Sequence, residues 1–288
     1  IGDYAFCGGP LLTQVSLGEG ITYMGNDIFR SSGLTSITIT RNVSQIGLSP
    51  FSACTQLTEI NVDEANPYFS SLDGVLTDKN RTTIVAYPAG KGKRYIIPDG
   101  ITKIGTHSFF ACYPITYIHI PNSVKTIELF AFASCTDLDT VILGNSVDSI
   151  EVAAFRINDR LKTIYSMNPI PPAAHTGAFD SFNSFFIQCT LHVPAGSLQA
   201  YKNAEVWKNF KNIVENDFTG IERPSPDKAK IFGNKNSIAF RNIEPDTDIS
   251  IYDTTGKCIK TFAVDGDCEI PFPSGIYLIK YAGRTVKI

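Results

Sequence analysis

Long apolar runs are missing from this 288-residue chain. None approaches the roughly 18 residues of a membrane-spanning helix, so no membrane-spanning segment is expected. Excess charge is missing too. The formal net charge is −3, which gives no electrostatic reason to expect nucleic acid or an anionic membrane as a partner. There is no H-E-x-x-H, G-x-S-x-G, G-x-G-x-x-G or phosphate-binding loop, so the common hydrolase and nucleotide signatures are excluded. The histidines His107, His119, His175 and His192 have no second His or Cys at metal-finger spacing. The acidic clusters Asp63-Glu64 and Asp246/Asp248 do not follow calcium-loop spacing. Neither metal nor cofactor is expected. Seven cysteines, an odd number without small-scaffold spacing, argue against a disulfide framework. No signal peptide is recognisable, but the chain opens at Ile1 on the first position of a repeat, so it is read as lacking its natural N-terminus.

What the chain has is a repeat. Ile104, Ile127 and Ile150 lie 23 residues apart (127 − 104 = 150 − 127 = 23). Between them the same offsets recur: Phe109 matches Phe132, Cys112 matches Cys135, Ile115 matches Leu138, Ile118 matches Val141, Ile120 matches Leu143 and Val124 matches Val147. A fixed period of this length marks a solenoid. One turn cannot hold itself together. Burying its six apolar side chains is worth about 9–18 kcal/mol, whereas ordering its backbone costs roughly 23–46 kcal/mol. Stacked turns share one core and satisfy one another's strand hydrogen bonds. The L-x-x-I-x-I segment alternates in and out, which is strand periodicity, so a parallel sheet is expected along one face.

Earlier turns begin at Ile1, Met24 and Ile46, and the last regular one at Ile150. The stretch 63–103 breaks the period. Strands FSSLDGVLT and TTIVAYPA around Asp78-Lys79-Asn80 suggest a hairpin-containing insertion that adds a rung of its own. After Tyr165 the pattern changes, and Pro169, Pro171 and Pro172 interrupt regular structure. Residues 167–216 are expected to cap the solenoid, with Ser197 capping a short helix and Tyr201 and Trp207 packing over the core end. The organisation predicted is a solenoid over 1–218, a linker over 219–227 and a small all-β sandwich over 228–288.

The repeat I-x(4)-F-x-x-C-x-x-L-x-x-I-x-I-P-x-x-V resembles the BspA-like leucine-rich repeat family of bacterial surface proteins. The insertion NPYFSSLDGVLTDKNRTTIVAYPAGK and the closing VPAGSLQAYKNAEVWKNFKNI look like that family's versions. The resemblance covers about 1–216 and implies a leucine-rich repeat fold, mainly β. It also implies export to the cell surface of Bacteroides-type bacteria, and adhesion to extracellular protein or partner-cell ligands. It supplies no catalytic residue. The tail, at ISIYDTTGKCIKTF, GIYLIKY and RTVKI, is similar to C-terminal sorting domains of type IX secretion, which implies an export and anchoring address; the other reading is a plain β-sandwich spacer.

Two sets of residues carry chemistry. Cys54, Cys112 and Cys135 share one repeat offset, where Gly9, Ser32 and Asn158 stand in other turns. A site accepting Cys, Gly, Ser and Asn is small and set against backbone, so a structural ladder of free thiols is expected. In-register side chains on neighbouring rungs run parallel and keep their Cβ atoms too far apart for a disulfide. Cys258 and Cys268 are placed on a hairpin through Asp265-Gly266 whose register opposes Cys268 to Ala263, so a disulfide is not expected there either. The second set projects outward from the sheet. The first three turns present Gln14/Ser16, Ser36/Thr38 and Glu59/Asn61; the later ones present Tyr117/His119, Thr140/Ile142 and Thr163/Tyr165. Tyr117, His119, Ile142 and Tyr165 form a candidate exposed patch for a protein or glycan ligand. The alternative is cross-strand stacking of β-formers on a partly covered surface. The expected function is non-catalytic adhesion or recognition by a monomer. The alternatives are a structural spacer and, more remotely, a carbohydrate-active enzyme with carboxylates paired across rungs.

Overall fold

A computed structural model describes residues 1–179, 183–218, 230–234, 237–241, 245–265, 268–273, 275–281 and 284–288. They divide into two compact units, Ile1–Asp217 and Phe218–Ile288. The stretch read as a linker, 219–227, lies outside the described residues.

The first unit is a solenoid whose turns are zipped together along three sides. On the first, Arg94–Ile96, Tyr117–His119, Thr140–Leu143, Thr163–Ser166, Thr190–Pro194 and Asn212–Asn216 form one six-stranded sheet. All neighbours are parallel and in register, Ile118 opposite Val141 and Val141 opposite Ile164. Ser36–Ile39 and Glu59–Val62 make a separate parallel pair in the earlier turns. On the second side, two-residue strands at the opening isoleucines pair likewise, Ile104 with Ile127 and Ile127 with Ile150.

The third side is an arc with no strand. In each regular turn the residues three and seven places after the first are left-handed: Tyr4 and Gly8, Asp27 and Ser31, Ser49 and Ala53, His107 and Ala111, Phe130 and Ser134, Ala153 and Ile157. A left-handed non-glycine residue costs roughly 1–2 kcal/mol. The alternation turns every second amide toward the next turn, so Phe109 N donates to Ala131 O and Phe132 N to Ala154 O, both at 2.8 Å. The flanking amides of His107 and Ala111 do the same. This arc turns one phenylalanine per turn toward the core, buried in every turn but the first, where Phe6 is 39% exposed, and the rings stack: Phe6–Phe29–Phe51 in the first turns, and Tyr87–Phe109–Phe132–Phe155–Phe179 later, with centroids 4.7–5.8 Å apart.

FSSLDGVLT is not one strand. It folds back at Asp73 and Gly74, both with positive φ, into the antiparallel pair Phe69–Leu72 and Val75–Asp78; the Asp-Gly turn matches the strand twist. Thr83–Ala86 then sets Ile84 beside Ile104 in parallel, Tyr87 stacks on Phe109, and Tyr95 pairs with Ile118. Residues 83–101 thus fill one rung by a shorter arc: Ile84 to Tyr95 is 11 residues, where Ile104 to Ile118 is 14.

Beyond Tyr165 the repeat continues where a changed pattern was expected. Ala173–Ala174 joins the short-strand side, Phe179 bridges Phe155, and Thr190–Pro194 joins the main sheet. The spacing merely lengthens, to 24 from Phe155 to Phe179 and 27 from Ile164 to Leu191. The aromatic cap then closes the core, with Trp207, Phe210, Phe185 and Phe186 around Phe179. Trp207 Nε1 donates to Pro172 O at 2.8 Å, and Tyr201 Oη to Asn168 O at 2.7 Å. Ser197 stands at the helix N-terminus of Leu198–Asn203, but its side chain makes no capping bond; the Leu198 amide goes to Glu215 Oε1 at 2.9 Å instead.

The second unit holds two antiparallel sheets. One contains Lys230–Asn234, Ser237–Arg241 and Cys268–Pro271; the other contains Cys258–Asp265, Pro245–Tyr252, Leu278–Tyr281 and Arg284–Lys287. They share a core of Ile238, Phe240, Ile249, Ile251 and Ile279. The expected Cys258/Cys268 hairpin is not formed. Cys268 pairs with Phe240 in one sheet and Ala263 with Asp248 in the other, because the chain changes sheets after Asp265; Gly266 itself lies outside the described residues.

Candidate functional site

The cysteine offset is a row of donors. Cys54 Sγ lies 2.9 Å from Phe29 O and Cys135 Sγ 3.1 Å from Phe109 O, each reaching the carbonyl of the stacked phenylalanine one turn earlier. Asn158 takes the same place with Nδ2 on Phe132 O at 3.0 Å. Cys112 Sγ sits more loosely, 3.9 Å from Tyr87 O. Ser32 at this offset meets Cys54 Sγ at 3.4 Å instead, and Gly9 carries no donor, so the position is one for small side chains, of which Cys and Asn reach the carbonyl. Cys54, Cys112, Cys135 and Cys189 are free and buried, while Cys7 and Cys258 are free and exposed. Burial pushes the Cys135 thiol up to about 12 and disfavours the thiolate.

The outward face of the main sheet carries two rows set by the register. One runs Arg94, Tyr117, Thr140, Thr163, Thr190, Asn212; the other runs Ile96, His119, Ile142, Tyr165, His192, Val214. The four candidate residues do come together, but not as an exposed patch. Tyr117 is 9% exposed, His119 6% and Ile142 5%. In-register strands lie about 4.8 Å apart, so a side chain in mid-row is flanked on both sides. The Arg94 guanidinium lies 3.8 Å over the Tyr117 ring. Tyr165 is half-buried and stacks on His192 at 4.5 Å, and Val214 at the row's end is exposed. His192 and Val214 were missed because their strand follows a 27-residue spacing that period-counting does not reach.

Two further features were not anticipated. The shortened rung breaks the arc ladder: only Tyr87 N reaches forward, to Ser108 O at 2.8 Å. Among the described residues the Ser49, Phe51 and Ala53 amides make no hydrogen bond, and buried Ser108 Oγ has no partner. Ser49 Oγ and His107 Nδ1 bridge the break. Second, an open cleft of about 670 Å³ lies at a corner of the first turns, lined by Glu19, Thr22, Arg41, Asn42, Ser44 and Tyr68 among others. No motif marks it, since its residues come from three turns. Among the described residues no three His, Cys, Asp or Glu side chains are placed to hold a metal, and no helix is long and apolar enough to cross a membrane.

This geometry, with 23-residue turns, stacked phenylalanines and a parallel sheet, accompanies a sequence match to the BspA type leucine-rich repeat region, in six copies over residues 1–72 and 88–191. The chain belongs to the BspA-type leucine-rich repeat family. No curated protein matches it in sequence. Among solved structures it is similar to the pneumococcal vaccine antigen PcpA, at 18% identity and TM-score 0.53 over 75% of this chain and 65% of that one. It is also similar to a leucine-rich repeat protein from Eubacterium ventriosum, at 23% identity and TM-score 0.57 over 74% of this chain and 57% of that one. The BspA-type chain therefore spans less than two thirds of the length of either, and the likeness is one of fold.

Proposed function

We propose that this BspA-type chain is a non-catalytic recognition module of an exported bacterial protein, acting as a monomer at the cell surface or outside the cell. Its ligand is an extracellular protein or glycan. The supporting observation is the outward row from Ile96 to Val214, continuous across six in-register strands. Its accessible part is Tyr165, His192 and Val214, and the buried Tyr117, His119 and Ile142 serve as the rigid bed beneath a ligand seated there. Membership of a repeat family rather than an enzyme family supports the non-catalytic part. For the C-terminal unit the proposal is an export and anchoring address, supported by the resemblance of its strands to type IX sorting domains.

The test is solid-phase binding of the whole chain to a panel of matrix proteins and host glycans, beside Tyr165→Ala/His192→Ala/Val214→Ser. Saturable binding that the triple variant lowers by about tenfold, the scale of one interface anchor, supports the sheet face. Saturable binding that survives the variant sinks it as the site. The burial of Tyr117, His119 and Ile142 favours one other reading, a structural spacer, whose sign is no binding at all.

A further inference from the structure

The corner loops of successive turns normally stack. Asn122 and Asn145, both 18 residues into their turns, are joined by Asn145 N to Asn122 Oδ1 at 2.9 Å. Glu19 and Asn42 occupy that place in the first two turns, and Asn42 Nδ2 donates to Glu19 O at 2.7 Å. In the third turn the chain leaves the stack. Buried Asn66 holds the departure: its Nδ2 donates to Thr40 O and Val43 O, and its Oδ1 accepts from the Tyr68 and Phe69 amides, at 2.8–2.9 Å. Lys79 N donates to Tyr68 O at 2.9 Å. Tyr68 is thereby fixed by its backbone while the residue stays 53% exposed and lines the cleft.

The rest of the lining is mostly polar. Arg41 Nε lies 3.0 Å from Glu19 Oε2 and 3.9 Å from Asp63 Oδ2. Ser44 Oγ donates to Thr22 O at 3.2 Å and can still accept. Asn42, its amide nitrogen engaged, keeps an acceptor oxygen. Of the charged side chains that line the cleft, Glu19 and Arg41 cancel, so an anionic ligand gains no net attraction. The lining contains no large aliphatic side chain, so an apolar peptide anchor has nothing to bury against. An exposed aromatic ring in one lining with acceptors and a guanidinium suits a molecule with one C–H face and a ring of hydroxyls. The volume lies within the roughly 300–1,000 Å³ of small-ligand sites.

We propose that this cleft binds a neutral sugar residue of a glycan, with Tyr68 stacked on the pyranose ring and Glu19, Arg41 and Asn42 taking its hydroxyls. The site lies apart from the outward row of the main sheet and stands or falls without it. The test is nuclear magnetic resonance titration of the whole 288-residue chain with methyl glycosides of glucose, galactose, mannose and N-acetylglucosamine, with N-acetylneuraminic acid as the anionic comparison. At least one neutral glycoside is expected to shift the Thr22, Asn42 and Tyr68 amides. Tyr68→Phe should bind as the parent does, because stacking needs the ring and not the hydroxyl. Tyr68→Ala should weaken binding about tenfold or more, the loss of a stacking face, and Tyr165→Ala should change nothing. The proposal is overturned if no neutral glycoside shifts these amides, if Tyr68→Ala binds like the parent, if the anionic sugar binds best, or if a protein ligand alone is lost with Tyr68→Ala. Each of those outcomes leaves the sheet-face reading to its own test.

Discussion

Asn158 sits where the donor row predicts its own improvement. It is fully buried, its Nδ2 makes the one hydrogen bond to Phe132 O among the described residues, and its Oδ1 has no partner. An unsatisfied buried acceptor costs about 1–3 kcal/mol. Cysteine at the same offset reaches the same carbonyl, at 3.1 Å in the case of Cys135, and carries no second polar atom to strand. Asn158→Cys should therefore remove the orphan oxygen and keep the donor. The thiol bond is weaker than the amide bond, so the net gain is about 1 kcal/mol. For a unit of this size that raises Tm by about 2–4 °C. Asn158→Ala also removes the orphan oxygen, but it strips Phe132 O of its donor and opens a small cavity, for a net loss of about 1 kcal/mol. The assay is urea unfolding in reducing buffer followed by tryptophan fluorescence. Trp207 is the only tryptophan and lies in the cap of the solenoid, so the signal belongs to that unit. The expected order is Cys above Asn above Ala. Asn158→Cys falling to the level of Asn158→Ala would refute the donor-row account.

Hydrogen exchange should expose the broken arc. The Asp27, Phe29 and Ser31 amides donate to the next turn, whereas those of Ser49, Phe51 and Ala53 do not, so the second trio should exchange at least about tenfold faster under native conditions; equal protection would show that the break is closed. Thiol chemistry should divide by burial. Cys7 and Cys258 should react with iodoacetamide at pH 8, and Cys54, Cys112, Cys135 and Cys189 only after unfolding. Cys135 and Cys189 are pushed up to about 12 from an ordinary value near 9, so between those limits the folded state holds protons that the unfolded chain releases. The stability they contribute is complete below about pH 9 and falls as pH rises toward 12; replacing both with serine should flatten that part of the pH–stability curve.

Much of the fold was legible because a solenoid writes its architecture into local periodicity. Ile104, Phe109, Cys112 and Ile118 recur at 23 residues, and each recurrence becomes a physical row: paired strands, stacked rings, donors on carbonyls. Even the freedom of the thiols follows from in-register geometry. The cap was legible as aromatic cover through Trp207 and Tyr201, but its character as a further turn was not. Phe179 and Leu191 fall at stretched offsets, and only their contacts with Phe155 and Ile164 show that the turn continues. Ser197 shows the same limit at smaller scale, since its residue type suits a cap and Glu215 takes the bond.

By itself the sequence determined what repeats, because burial and strand pairing act at fixed offsets between neighbouring turns. Tertiary structure decided what is accessible and what converges. Tyr117, His119 and Ile142 point outward, yet close in-register packing covers them. The left-handed arc has no glycine signature, because its strain is offset by bonds between turns that a single turn does not contain. The cleft beside Tyr68 exists because Asn66 steers the third turn off the stack, bringing side chains from three turns to one corner. Such a meeting depends on the distance between turns, and no spacing within one turn records it.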